Sequence, residues 1–198
     1  GGTVPLYGIV LETGRPGATW ETLALTGVGS KSFIRHAGEP LADQVARRQP
    51  DLVVVMLGGN ESGLPTLTVG EGEGYAPIFQ GALDTILAGA AGKSCLVVTP
   101  LDQGETTEDG VRRSRPGMPN LVARQRDVAL ASGCAFWSAW AAMGGEGSSV
   151  TWTHHRGLTR GDLMHLSQRG LTIMGNLLAD AVLAEYDNWV EQSQRAGK

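Results

Sequence analysis

The sequence has 198 residues and a net charge of −4, with 41% hydrophobic and 18% charged residues. This composition indicates one globular domain, residues 1–198, and excludes a disordered chain. Lys and Arg form no long run, which argues against binding to nucleic acid. The longest apolar run, residues 52–57, is too short to span a membrane.

The first quarter of the chain predicts strands and one short helix. Residues 6–12 and 19–25 are strand-like runs separated by a turn rich in Gly and Pro. A Gly-rich corner follows at residues 26–30. Pro40 is typical of a first helical position, so we predict a short helix over residues 40–48, which the next proline ends.

The middle of the chain alternates between strands and helices. Residues 51–57 form a continuous apolar run, which predicts a buried parallel strand. The apolar spacing over residues 75–90 predicts an amphipathic helix, and residues 94–99 predict the next strand. A polar loop at residues 102–117 precedes a predicted helix over residues 118–131.

The last third predicts one more strand, a long loop and a terminal helix. The strand covers residues 134–140, the loop covers residues 144–161, and Ser167 is a suitable N-cap for the helix. Alternating strands and helices with short links indicate an α/β fold with a right-handed parallel sheet.

Two groups of residues look structural. Cys95 and Cys134 each open an apolar run, so we expect small buried hydrophobic residues rather than a disulfide or reactive thiols. In the polar loop, Arg112, Arg113 and Arg115 are expected to form a solvated face.

Three polar segments follow predicted strands or open the last helix. They are Gly27-Val-Gly29, the Gly-Gly turn that ends at Asn60, and Asp162-Leu-Met-His165. Because functional groups of parallel sheets gather at the carboxyl ends of strands, we expect these segments to converge. A backbone amide, an Asn side chain and an Asp–His pair are the parts of an acyl-transfer site without its nucleophile.

In this order the segments resemble the SGNH (GDSL-type) esterases and lipases. Gly29 resembles the glycine of the family's second block, with Gly27 a less favoured choice, and Asn60 resembles the asparagine of the third block. Asp162 and His165 match the fifth block. Further runs resemble the bacterial branch that includes carbohydrate and peptidoglycan O-acetylesterases. The resemblance implies a three-layer α/β/α sandwich with a mostly parallel sheet.

The nucleophilic serine of that family is missing. No serine occurs before Ser30, and the chain has no Gly-Asp-Ser. The resemblance therefore implies that the central first strand of the sheet lies outside this chain. We expect the chain to be the C-terminal portion of a split catalytic domain, with Gly-Asp-Ser on a separate upstream segment or another chain. The remaining serines near the glycine corner and the triad block are not expected to replace it: Ser30, Ser32, Ser148 and Ser149.

The resemblance implies a serine esterase that hydrolyses small acyl esters, acetyl above all, on carbohydrate. Two alternatives stay open: an O-acyltransferase acting on a polysaccharide or peptidoglycan, and an inactive carbohydrate-binding domain. Trp152, in the loop before the triad block, is expected either to line the substrate pocket or to anchor the loop by packing. No cofactor and no metal are expected, although His154 and His155 are of a ligand type. The resemblance favours export to the cell envelope.

Overall fold

A computed structural model describes residue 3, residues 14–24 and residues 26–196. Its main sheet has three parallel strands in the order β1-β2-β5, and β3 and β4 form a separate antiparallel hairpin. The strands are β1 Leu52–Val55, β2 Ser94–Val98, β3 Gly104–Thr106, β4 Arg112–Ser114 and β5 Ala135–Trp137. The α-helices are α1 Ser30–Arg48, α2 Ala76–Leu87, α3 Met118–Ala131, α4 Ala139–Met143, α5 Ser148–Thr151 and α6 Gln168–Ala196.

The two faces of the sheet support separate apolar clusters, because successive side chains of a strand point to opposite faces. Val55 and Val97 pack in a cluster with residues of α1, α2 and α3. Val98 packs on the other face with Trp152 and Met174, in a cluster that also contains residues of α4. The protein therefore has helices on both faces of a parallel sheet, which confirms the predicted three-layer α/β/α class.

Helix α1 is longer than predicted, because it begins at Ser30 and carries Pro40 in its interior. Its apolar residues Leu41 and Val45 are buried in the cluster that α2 and α3 share. The prediction of a helix starting at Pro40 is wrong. Pro40 is typical of a first helical position, but here the chain enters the helix at the preceding glycine corner.

Of the two strands predicted before α1, only the second lies in part within the described residues. The predicted strand at residues 6–12 lies outside the described residues. Residues 19–24 are extended or irregular and pair with no described strand, so the prediction for that run is wrong over its described part. Their side chains are exposed, and the ring of Trp20 is 74% exposed.

The predicted loops contain more regular structure than expected. Residues 102–117 hold the β3–β4 hairpin, and residues 144–161 hold α5 followed by a π-helical turn, Trp152–Arg156. The hairpin strands have only three residues each, too few for an alternating pattern to be recognised.

Strand β1 is the edge of the described sheet. It pairs in parallel with β2 from Leu52 to Val55, and its opposite edge has no partner among the described strands. Leu52 in β1 is 47% exposed, and Met56, the residue after the strand, is 53% exposed. The continuous apolar run predicts a buried parallel strand, whereas the described strand is buried only in part.

Cys95 and Cys134 form a disulfide, which corrects the expectation of two separate buried thiols. Cys95 lies in β2, and Cys134 lies directly before β5, the strand beside it. The two Cα atoms are 4.8 Å apart, within the range that a disulfide requires. Both residues are also buried, so the expected burial itself is confirmed.

Helix α6 follows the predicted N-cap. The Ser167 hydroxyl accepts a hydrogen bond from the Gly170 N–H at 3.3 Å. Met174 is buried against the sheet, whereas Val182 and Trp189 further along are 48% and 62% exposed. Within the described part of the chain, no helix combines the length and apolar character needed to cross a membrane.

Candidate active site

Asp162 and His165 form a hydrogen-bonded pair. The imidazole Nδ1 of His165 lies 2.8 Å from Asp162 Oδ2. With Nδ1 donating to the carboxylate, Nε2 is left free to accept a proton from a nucleophile. The side chains of His165 and Asp162 are 70% and 40% exposed, so Nε2 is open to an incoming group.

The Asp162 carboxylate is held ionised by its own turn. Its Oδ1 accepts hydrogen bonds from the backbone N–H of His165 at 2.9 Å and of Met164 at 3.0 Å. These bonds, that of His165 first, lower the pKa of Asp162 to about 2. The carboxylate is therefore negative at neutral pH and can stabilise a protonated imidazole.

The backbone between the pair has an unusual conformation. Leu163 has φ of +62°, a region that non-glycine residues rarely adopt. Its side chain is buried at 1% exposure, and its carbonyl accepts a hydrogen bond from the Gly104 N–H at 2.9 Å. The hairpin strand β3 thus holds the turn that presents Asp162 and His165.

The glycine corner and the Asn60 turn lie against each other. The Asn60 side-chain amide donates to the Val28 carbonyl at 3.2 Å, and Gly29 is the N-cap of α1. Asn60 lies in a 3-10 turn, Gly59–Glu61, which is the next element after β1. Two of the predicted oxyanion groups, the Gly29 amide and the Asn60 side chain, are therefore brought together by the fold.

Glu61 joins these two loops, a role that sequence reasoning missed. It is 5% exposed, and its Oε1 accepts a hydrogen bond from the Ser30 N–H at the start of α1. A Cβ on Gly29 would lie 3.0 Å from the Glu61 carboxyl group, so only glycine fits there without a shift. The available signal was an acidic residue next to Asn60, where an anion could cap a helix N-terminus.

A buried network of hydrogen bonds supports the Asn60 turn. The Gln125 side-chain amide donates to the Leu57 carbonyl at 2.8 Å and to the Tyr75 hydroxyl at 2.9 Å. Gly58 has φ of +106°, and a Cβ there would lie 2.6 Å from Gln125. Burial, followed by the charge of Glu61, raises the pKa of Tyr75, which therefore stays a neutral hydroxyl.

Arg115 connects the two halves of the site. Its guanidinium donates to the Ser62 hydroxyl at 2.8 Å and to the Met164 sulfur at 3.4 Å. Ser62 follows the Asn60 turn, and Met164 lies between Asp162 and His165 in sequence. The expectation that this arginine belongs to a solvated face is wrong, because its side chain is half-buried between the two loops.

Trp152 is buried at 6% exposure and packs with the cluster around Met174. It also lines a shallow cavity of about 270 Å³ with Glu146 and Thr151. Its loop is anchored by the fully buried Asp102, whose carboxylate accepts hydrogen bonds from Ser114, Trp140 and Ser149. This placement favours packing over substrate contact for Trp152.

His154 and the buried serines are not placed to act with the pair. The Nε2 of His154 lies 3.0 Å from the Arg112 guanidinium, so its ring is engaged elsewhere. Ser30 and Ser149 are fully buried, and Ser148 is 6% exposed. Buried hydroxyl groups cannot reach an incoming ester.

Comparisons with known proteins give a family match and several structures of similar fold. The profile of the GDSL-like lipase/acylhydrolase family matches residues 8–173. The comparison with curated protein sequences found no significant match.

Among solved structures, a peptidoglycan O-acetylesterase is similar with a TM-score of 0.62 and 22% identity, over 74% of this chain and 41% of the other. A catalytic mutant of Axe2, an acetylxylan esterase from Geobacillus stearothermophilus, has a TM-score of 0.52 and 18% identity, over 77% of this chain and 66% of that one. The chain thus spans less than two thirds of either structure.

The structural neighbours share the α/β/α fold, and the family match covers most of the sequence. The family match supports an acylhydrolase function. The chain belongs to the GDSL-like lipase/acylhydrolase family.

Proposed function

We propose that this protein is a serine esterase that hydrolyses acetyl esters on carbohydrate, with the serine supplied by a segment outside this chain. The observation that carries the proposal is the Asp162–His165 pair, with 2.8 Å between Oδ2 and Nδ1. In a member of an acylhydrolase family, such a pair is suited to activate a serine hydroxyl.

In the first step, His165 Nε2 takes the proton of the serine hydroxyl while the serine oxygen attacks the ester carbonyl. The resulting tetrahedral intermediate expels the sugar alkoxide, which receives that proton from His165, and an acetyl-serine remains. Water then attacks the acetyl group with His165 again as base, and acetate and the free serine are released. Asp162 keeps its charge throughout and stabilises the protonated imidazole.

The Gly29 amide and the Asn60 side chain are proposed to hold the negative oxygen of the intermediate. The Asn60 amide group has two N–H donors, and one donates to Val28. The other is available for the oxyanion. Removal of one such donor typically lowers turnover about 100- to 1000-fold.

The missing strand is proposed to pair with the edge of β1 that has no partner among the described strands. This edge has a row of backbone groups without a described partner, next to the exposed apolar side chains of Leu52 and Met56. A strand added in parallel there would end beside the Asn60 turn, because that turn is the next element after β1. A Gly-Asp-Ser at its end would place the serine near the oxyanion donors. An unpaired apolar edge of this kind is otherwise an aggregation hazard.

The substrate class rests on the two neighbours, whose names give acetyl esters of peptidoglycan and of xylan as their substrates. An acetyl group on a sugar hydroxyl is the chemistry that the two have in common. We therefore propose the same class of ester here.

The test uses a fusion in which an apolar strand ending in Gly-Asp-Ser precedes the chain through a Gly/Ser linker. The linker raises the effective concentration of the strand at the β1 edge. We expect the fusion to hydrolyse p-nitrophenyl acetate, and both the unfused chain and a Gly-Asp-Ala fusion to stay at background.

In the fusion, His165→Ala should abolish turnover, whereas His154→Ala should keep it, because His154 contacts Arg112 instead of Asp162. Near-normal turnover of the His165→Ala fusion would remove His165 from the mechanism. A folded fusion without turnover would favour a carbohydrate-binding domain.

A further inference from the structure

Arg115 stands out because it is half-buried and its charge has no acidic partner among the described residues. Other arginines of the described part form ion pairs: Arg47, Arg48, Arg113, Arg124 and Arg195. Arg115 instead donates to neutral acceptors, the Ser62 hydroxyl and the Met164 sulfur. The chain has 20 acidic residues against 16 Lys and Arg, so acidic partners are abundant.

A half-buried guanidinium without a counter-ion carries a desolvation cost that a bound anion would offset. Its contact with Met164 is weak, because a thioether is a poor acceptor that a carboxylate oxygen readily displaces. Five N–H donors in a planar fork suit a carboxylate, which they can bind through two parallel hydrogen bonds.

The position of Arg115 ties this anion site to the ester site. Of its two partners, Ser62 directly follows the Asn60 turn, and Met164 lies in the turn that holds Asp162 and His165. A ligand that reaches the Asp–His pair therefore lies next to a positive charge. One guanidinium neutralises the single charge of a carboxylate. A phosphate dianion would need a second cation, whereas the charged group in the turn of Met164 is the negative Asp162.

We propose that Arg115 binds a carboxylate of the substrate, so that the preferred ester is carried by an acidic saccharide such as a uronate. This inference rests on the proposed function, because it uses the Asp162–His165 turn as the place where the sugar lies. It adds a charge requirement that the family and the fold do not by themselves contain.

The test compares methyl β-D-glucuronide with methyl β-D-glucoside, which differ by one carboxylate. Both are titrated into the chain by NMR, with the spectrum also serving to verify the fold. We expect the glucuronide to bind at least about tenfold more tightly, as charge-assisted hydrogen bonds do. Arg115→Gln should remove this preference, and Arg126→Gln, an exposed arginine of α3, should keep it.

Equal affinity for the two glycosides in the unmodified chain would overturn the inference, as would an equal loss in the Arg115 and Arg126 variants. If Arg115→Gln fails to fold, Arg115→Lys replaces it. The lysine keeps the positive charge but lacks the planar guanidinium, so this variant should lose most of the preference for the glucuronide. An unchanged preference would contradict recognition of the carboxylate by the guanidinium.

The esterase assay of the fusion separates the two proposals. Glucuronide preference without p-nitrophenyl acetate turnover would keep the anion site and refute the esterase. Turnover of p-nitrophenyl acetate without a preference for the glucuronide would keep the esterase and refute the anion site.

Discussion

Asp162→Asn tests the electrostatics of the Asp–His turn in the chain itself. The pKa of Asp162 is lowered to about 2, from an ordinary value of about 3.9. A carboxyl group with a lowered folded-state pKa stabilises the protein above its unfolded pKa and loses that contribution as the pH falls through its folded pKa. The window is therefore about pH 4 down to about pH 2.

For a fully buried group, a shift of this size would correspond to about 2.6 kcal/mol of stability. The Asp162 side chain is 40% exposed, so solvent screening reduces the expected contribution to about 1 kcal/mol. The amide side chain of the variant would keep an oxygen that accepts the backbone N–H groups but would have no charge to titrate. The free energy of unfolding is measured by urea denaturation between pH 2 and pH 7, for the wild type and the variant.

We expect the wild-type advantage to be constant above about pH 5 and to shrink by about 1 kcal/mol towards pH 2. Asp187→Asn, on the exposed part of α6, serves as the matched control and should show no such change. A wild-type advantage independent of pH would refute the reasoning. The same pH dependence in the Asp187 variant would also refute it, because the effect would then come from the net charge of the protein and not from the Asp162 turn.

Three further predictions concern the disulfide, Trp152 and Gly29. Replacing both Cys95 and Cys134 by Ser should lower the free energy of unfolding by about 4 kcal/mol, the loop-closure value for a separation of 39 residues, with calorimetry as the measurement. Trp152→Ala should cost about 3–5 kcal/mol, whereas Trp189→Ala, 62% exposed in the wild type, should cost well under 1 kcal/mol; equal urea midpoints would contradict the buried role of Trp152. Gly29→Ala should cost about 1–3 kcal/mol, because its methyl group would press on a buried carboxyl group 3.0 Å away; a midpoint unchanged from wild type would show that the corner is loose.

The elements that sequence reasoning predicted well carry local patterns. Helix α3 has its predicted bounds, Met118–Ala131, and β2 differs from its prediction by one residue. Residues of α3 are buried at intervals of three to four positions, and β2 is a short continuous apolar run, so both patterns are local. The Asp162–His165 hydrogen bond follows from a short spacing in one turn, which is why the pair was recognisable.

The features that were missed depend on contacts distant in sequence. Helix α1 begins at Ser30, whose amide is capped by Glu61 from 31 residues away, and no local pattern reports such a partner. Cys95 and Cys134 were equally compatible with buried thiols, because pairing depends on which strands are neighbours in the sheet. Arg115 lies in a polar loop, and only the folded chain places it between the Asn60 turn and the turn that holds Asp162 and His165.

The central claim is that the nucleophile comes from a strand outside this chain and is activated by His165. A fluorophosphonate forms a covalent bond to an activated serine, and the mass of the labelled peptide identifies that serine. We predict labelling of the Gly-Asp-Ser serine in the fusion and its loss in the His165→Ala fusion. A label on a serine of the chain itself, or an unlabelled fusion that is correctly folded, would contradict the account.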